Sequence, residues 1–180
     1  CVGNYIKKWY GTKPDVVIEG AVSLHSESKS NLKDKSAIYI GRLSKDMGID
    51  IYLASYRKLR KIYSNFKLTF LKKGDDQEKL VPNSRFVFAS GYLSIYEGLA
   101  NGKIVFAVFD NPLKEDYLRN SQVSKYIITC GSEDDLVSKV VFYIKNPDKE
   151  KEMINRSSGW IRAQTWDKIA DKYLKVWGMS

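Results

Sequence analysis

RFVFASGYLSIYEGLANGKIVFAVF, residues 85 to 109, reads as strand, helix, strand. Its two apolar runs, RFVFA and KIVFAVF, are continuous rather than alternating, as required of strands in a parallel sheet covered on both faces. The helix between them is short and carries one residue that packing does not explain, Glu97, about two turns from the glycine that opens it.

The same grammar recurs outward from this unit. AIYIG (37–41), KLTFL (67–71) and KYIITC (125–130) are three more compact apolar runs of strand length. After the first comes GIDIYLASYRKLRKIYSN, with Ile49, Leu53, Tyr56, Leu59, Ile62 and Tyr63 at helical spacing. After the last, Ser132 is a good N-cap for SEDDLVSKVVFYIKN, with acids in the first turn and Asn146-Pro147 as its stop. DKEKEMINRSSGWIRAQ predicts another helix, and Thr165 caps a final one with a stripe of Trp166, Ile169, Tyr173, Leu174 and Trp177, read as core packing. Alternating strands and helices predict an α/β fold, a doubly wound, Rossmann-like parallel sheet of about five to six strands with C-terminal helices. Residues 35–180 form this domain. Residues 1–34 are set apart as an N-terminal helix (NYIKKWYG), a short strand (DVVIEG) and a polar linker of interdomain type.

Composition narrows the class. The 180 residues are 43% hydrophobic and 28% charged, as in a soluble globular protein, and no apolar run approaches the ~18 residues of a bilayer span. The opening CVGNYIKKWYG lacks the apolar core of a secretory signal, so the expected location is cytoplasmic. Cys1 and Cys130 show no metal-ligand spacing, and Cys130, closing YIITC, reads as a buried structural thiol. The lone histidine, His25, falls in the linker and reads as a surface residue. The net charge of +9 is concentrated in RKLRKIYSNFKLTFLKK (57–73), which has no acid. Such a face suits nucleic acid, an anionic membrane surface or a phosphorylated substrate, or is a solvated helix surface. None of the recognised nucleic-acid modules is present, so nucleic acid is the least expected of these partners.

In doubly wound sheets ligands bind beyond the carboxyl ends of the strands. Two strand ends carry suitable groups. In GRLSKDMG (41–48), Gly41 allows close backbone approach, and Arg42 with Lys45 sets positive charge at the mouth of the next helix; a guanidinium fork matches a diphosphate. In ASGYLSIYEGLANGK (89–103), Gly91 and the amides after it form an anion-binding helix start, and the Glu97 carboxylate can accept both hydroxyls of a ribose. The plainer alternative is a solvent-facing Glu97, or one paired with Lys103.

IYIGRLSKDMGIDIYLASYRKL resembles the G-R-x-x-x-x-K-G strand–turn–helix that opens the C-terminal domain of GT-B type glycosyltransferases of the large retaining family 4. YLSIYEGLANGKIVFA resembles that family's E-A-x-A-x-G-K-P-V-I segment, VVIEGAV its V-I-P-N-G-V interdomain stretch, and TWDKIADKYLKVW its closing S-W-x-x-x-A helix. The resemblance covers nearly the whole chain. It implies half of a GT-B fold that binds a nucleotide-sugar such as a UDP- or GDP-sugar, with no cofactor and no metal. It implies donor diphosphate contacts from Gly41, Arg42, Lys45, Gly91, Tyr92 and Leu93, and a ribose contact from Glu97. It further implies an acceptor-binding N-terminal domain or partner chain, and an acceptor that is lipid-linked or a polysaccharide, with the protein peripheral at the membrane in the first case.

Three departures stand against the family pattern. Met47 replaces the lysine that partners the arginine, and Ala89 replaces the first glutamate of E-x7-E. Only a short turn separates KLTFLKKGDD from RFVFAS, where the strand and loop that contact the base normally lie. ASGYLSIYEGLANGK is also similar to the S-G-x-x-x-x-x-E pattern of inverting GT-B families, so the anomeric outcome stays open. The alternative is a degenerate, non-catalytic glycosyltransferase-like module serving as a carbohydrate-binding element or partner subunit.

Overall fold

A computed structural model describes residues 2–18, 20–24, 32–71 and 75–179. Five strands, β1 (Ser36–Tyr39), β2 (Lys67–Phe70), β3 (Phe86–Phe88), β4 (Ile104–Val108) and β5 (Ile128–Cys130), form one sheet in the order β2-β1-β3-β4-β5. Every neighbouring pair is parallel, with Ala37 opposite Phe86 and Phe86 opposite Ile104 in the centre.

The strands are buried on both faces because helices wind over each. The period of two along a strand splits its side chains cleanly between the two cores. Ala37, Tyr39, Phe86, Phe88, Ile104, Phe106 and Val108 pack under α2 (Ile49–Ile62) and α6 (Glu133–Lys145). Ile38, Ile40, Val87, Ala89, Val105 and Ala107 pack under α4 (Tyr92–Ala100), α5 (Pro112–Arg119) and α7 (Pro147–Ile161). Helix α4 reaches the sheet through Gly98, where a Cβ would stand 2.7 Å from a Val105 methyl and 3.0 Å from one of Val87.

At the amino ends of the strands a buried ion pair ties the layers together. Arg85 Nη2 meets Glu150 Oε2 at 2.7 Å, and the same guanidinium donates to the carbonyls of Leu32 (2.6 Å) and Tyr143 (3.2 Å). One fork thereby joins the entry to β1, the end of α6 and the start of α7.

The expected caps are present. Ser132 Oγ accepts from Asp135 N at 3.2 Å, and Thr165 Oγ1 from Lys168 N. Several expectations are corrected. DVVIEG forms no strand in residues 15–18 and 20; Glu19, like His25 and Cys1, lies outside the described residues. Of the expected stripe on α2, Leu59 is buried and Ile49, Tyr56 and Tyr63 pack partly buried against the core, while Ile62 is exposed; Tyr52 and Ser55, outside the stripe, are buried as well. The Tyr52 hydroxyl reaches acceptors at the sheet from that face. Of the stripe on α8 (Trp166–Val176), only Ile169 is buried, while Trp166 is 56% and Trp177 65% exposed. The α8 stripe is therefore not core. Among the described residues two α-helices went unread from the sequence, α5 and the one-turn α3 (Gln77–Leu80), as did a 3₁₀ helix at Gln122–Tyr126 and a 3₁₀ turn at Lys45–Met47.

The N-terminal helix α1 (Val2–Tyr10) lies on α5. There Lys8 and the Trp9 indole N–H both meet the Asp116 carboxylate, and Tyr5 meets Tyr117 edge-on at 5.9 Å. Two cations of the basic stretch serve internal contacts. Lys58 bonds Glu133 (3.3 Å) and Asp134 (2.7 Å) on α6, and Arg60 donates to the Phe66 carbonyl.

Candidate functional site

The strand order reverses direction between β1 and β3, which is the switch point where doubly wound sheets open a ligand crevice. Both loops singled out in the sequence leave the sheet at that point.

The first runs from Gly41 to Gly48. Ile40 N–H still bonds Phe88 O at 3.0 Å, and Gly41 then turns with φ +154°, where an added Cβ would press on the Tyr39 hydroxyl at 3.1 Å. That hydroxyl donates to the Arg42 carbonyl at 2.5 Å, and burial first, then Asp46, pushes Tyr39 up to about 12, so it remains a donor. A single 3₁₀ turn, Lys45–Met47, leads to Gly48 at φ +75°, where any Cβ would collide with Val108. The loop is thus pressed against the carboxyl end of β4. Arg42 and Lys45 are exposed on it, and Arg42 Nη2 meets Asp46 Oδ2 at 2.9 Å. The Ser44 hydroxyl, with Arg42 and Lys114, holds the Asp46 carboxyl below its ordinary range.

The second loop follows β3. Ser90 is buried, and its hydroxyl takes the place of a sheet neighbour: it accepts from Val108 N (2.9 Å), donates to Val108 O (3.0 Å) and lies 2.8 Å from the Tyr52 hydroxyl. Tyr52 Oη also donates to Phe106 O at 2.9 Å. This clamp sets where Gly91 begins α4. The helix starts with no side-chain cap and no acid in its first turn, an electropositive end facing the crevice. A Cβ on Gly91 would be 3.7 Å from Met47 Sδ, so the two loops touch there.

Of the remaining expected residues, Tyr92 directs its ring away from the crevice. Its hydroxyl accepts from Gly20 N at 2.9 Å and lies 2.7 Å from that of Tyr96, leaving the backbone as its contribution to the loop. Leu93 is exposed. Glu97 is half-buried in the second turn of α4, roughly 9 Å along the axis from Gly91. Asn101 Nδ2 donates to Glu97 Oε1 at 3.3 Å, and Lys103 Nζ donates to Pro82 O at 2.8 Å.

Sequence reasoning missed Lys114. It sits in the first turn of α5, whose cap, Asn111, accepts from Lys114 N at 2.9 Å. Its ammonium lies over the Tyr117 ring and has Asp46, Asp110 and Arg42 as charged neighbours. Two cavities lie elsewhere. One of about 370 Å³ opens beside the start of β5, between Lys125, Phe142, Tyr143 and Arg156; the other, about 300 Å³, lies at the amino ends of β1 and β2. Neither touches the β1–β3 crevice. Among the described residues no three His, Cys, Asp or Glu side chains are placed to hold a metal ion, and no helix is long and apolar enough to cross a membrane.

No protein-family model matches the sequence, and no curated protein matches it in sequence. Solved structures match in shape. A mutant of S. aureus TarM, in complex with fondaparinux, alpha-GlcNAc-glycerol and UDP, superposes with a TM-score of 0.69 at 17% identity over 89% of this chain. Sucrose-phosphate synthase from Thermosynechococcus elongatus gives 0.69 at 13% over 98%. The fold is that of one half of a GT-B glycosyltransferase. The pneumococcal O-GlcNAc transferase GtfA, in complex with UDP and GlcNAc, gives 0.62 at 15% over 97%. The GT-B-like chain spans only 38%, 56% and 42% of those three chains, in the order named.

Proposed function

We propose that this chain is the donor-binding domain of a glycosyltransferase. It takes a nucleotide-sugar, a UDP- or GDP-sugar, in the crevice between β1 and β3. The transferred sugar goes to a lipid-linked or polysaccharide acceptor held by an N-terminal domain or a partner chain. The observation that carries this reading is the meeting of two strand-to-helix turns at one switch point, each offering groups suited to phosphate, with a carboxylate about two turns further along the second helix. Gly41, Arg42, Lys45 and the amides at Gly91, Tyr92 and Leu93 hold the diphosphate, and Glu97 holds the ribose. Catalysis comes from positioning the donor and from side-chain cations that stabilise the departing diphosphate, with no metal. The shapes shared with UDP-bound TarM and GtfA support the donor class. The basic surface fits work in the cytoplasm at an anionic membrane that presents the acceptor.

A second reading, a non-catalytic GT-B-like module, is favoured by Met47, a thioether at the point where the two loops meet. Calorimetric titration of the chain with UDP, GDP and their sugar conjugates separates the two. The donor reading expects saturable binding of one nucleotide, weakened about tenfold or more by Arg42→Ala and by Glu97→Ala, since each removes a charge-assisted hydrogen bond. A folded chain that binds none of them is the non-catalytic module.

A further inference from the structure

Met47 stands where the family pattern has a lysine, so the first loop brings Arg42 and Lys45 to a diphosphate but lacks the cation at that position. We propose that Lys114, from the first turn of α5, supplies that cation, and that Asp46, ion-paired with Arg42 and within electrostatic reach of Lys114, is the internal anion which the donor diphosphate displaces. The inference rests on the donor-site reading above and extends it to a residue on a third loop, after β4.

Three observations support it. Gly48 lets the first loop lie directly on Val108, so the β4–α5 connection begins beside that loop. The Asn111 cap and Pro112 fix the start of α5, which holds Lys114 one turn in, while its stem lies half-buried beside Tyr117 with the ammonium 5.1 Å from the ring centroid. Arg42 binds Asp46 at 2.9 Å, and the charged neighbours of Lys114 are Asp46, Asp110 and Arg42. Asp46 is thus paired directly with Arg42, and its charge also reaches Lys114, which Arg42 repels. A diphosphate carries more charge and more acceptor oxygens than that carboxylate, so it competes for both cations at once. Asp46 has only to swing outward on its exposed loop.

Lys45, on the same 3₁₀ turn, is the other lysine assigned to the diphosphate. Lys45 is exposed with no partner on a rigid element, whereas the Lys114 stem is anchored before any ligand arrives, so ordering it costs less on binding.

The test is calorimetric titration of the folded chain with UDP and GDP and, separately, with the corresponding monophosphates. Lys114→Ala is expected to weaken the diphosphate that binds by about tenfold and its monophosphate by clearly less, and Lys114→Arg to restore most of the loss. Asp46→Asn is expected to tighten the diphosphate severalfold by removing the competing anion, a gain that disappears in the Asp46→Asn, Lys114→Ala double variant. Circular dichroism confirms that each variant is folded. If Lys114→Ala binds within about twofold of the parent while Arg42→Ala and Glu97→Ala lose binding, the inference is wrong and the donor reading stands. If the parent chain binds neither diphosphate, both are wrong.

Discussion

Replacing Tyr52 by Phe deletes one buried oxygen and nothing else. The ring keeps its stack on Phe88 (5.2 Å, 17°) and its edge contact with Tyr39 (5.3 Å), so no cavity opens. What is lost is the hydrogen bond to Phe106 O at 2.9 Å, the contact with Ser90 Oγ at 2.8 Å and a long bond accepted from Val108 N at 3.3 Å, whose N–H keeps Ser90 Oγ. Phe106 O keeps Ala89 N as a donor, and Ser90 keeps both of its bonds to Val108, so the remaining polar atoms stay mostly satisfied. One net hydrogen bond plus part of a desolvation penalty comes to about 2 kcal/mol. For a domain of this size that lowers the melting temperature by about 4 to 8 °C. Urea unfolding gives the free energy, with an unchanged m-value as the sign that only stability moved. Because the clamp fixes where Gly91 begins α4, affinity for the bound nucleotide should fall as well, and Ser90→Ala should reproduce the direction of both effects. A loss below about 0.5 kcal/mol, the range of an indifferent surface change, would refute the clamp.

Other outcomes follow from buried groups away from the crevice. Burial pulls the fully buried Lys103 ammonium down from 10.5 to about 8, against the opposing pull of Glu150. Between those pH values the unfolded chain holds the proton that the native state has released, so the Lys103 contribution to stability rises with pH from about 8 toward 10.5. Urea midpoints across that range should show a flatter profile in Lys103→Met. Glu150→Gln strands the Arg85 guanidinium inside the protein and should cost about 3 to 5 kcal/mol in the same assay. Gly98→Ala forces α4 off Val87 and Val105 and should cost about 1 to 3 kcal/mol. Burial pushes the Cys130 thiol up to about 12, so peptide mapping after alkylation of the native protein at neutral pH should find Cys130 unmodified.

The five strands were legible in the sequence because each is a continuous apolar run, and a strand buried on both faces has no other way to be written. Each strand proved one to three residues shorter than its apolar run. Lys103 and Arg85 begin such runs yet belong to the buried polar anchors at the sheet's amino end. Helix α2 was legible as a helix and in most of its apolar face, but not in the two polar side chains that share that face. A pattern of apolar residues gives no weight to a tyrosine or serine that goes inside for its hydroxyl, and Tyr52 and Ser55 do so. On α8 the same reasoning failed in the opposite direction, since an amphipathic stripe says that a helix has an apolar face and not that this chain covers it.

The site divides along similar lines. Of the residues proposed for the site, Gly41, Arg42 and Gly91 could be picked out because each stands next to a strand end, and Glu97 because it follows Gly91 by about two turns; the switch-point rule turns those local facts into one shared location. Lys114 could not. It lies 72 residues beyond Arg42 in PLKEDYLR, an ordinary charged helix start, and becomes notable only when Gly48 brings the Arg42 loop onto Val108. A cation lost at one position of a motif, here Met47, therefore says little about the charge of the finished site. A sheet of five parallel strands delivers several loops to one edge, and a side chain from any of them can face the ligand. Met47 is for that reason weaker support for a non-catalytic module than the motif alone suggests, and the affinity of Lys114→Ala for a nucleoside diphosphate decides how much of that support remains.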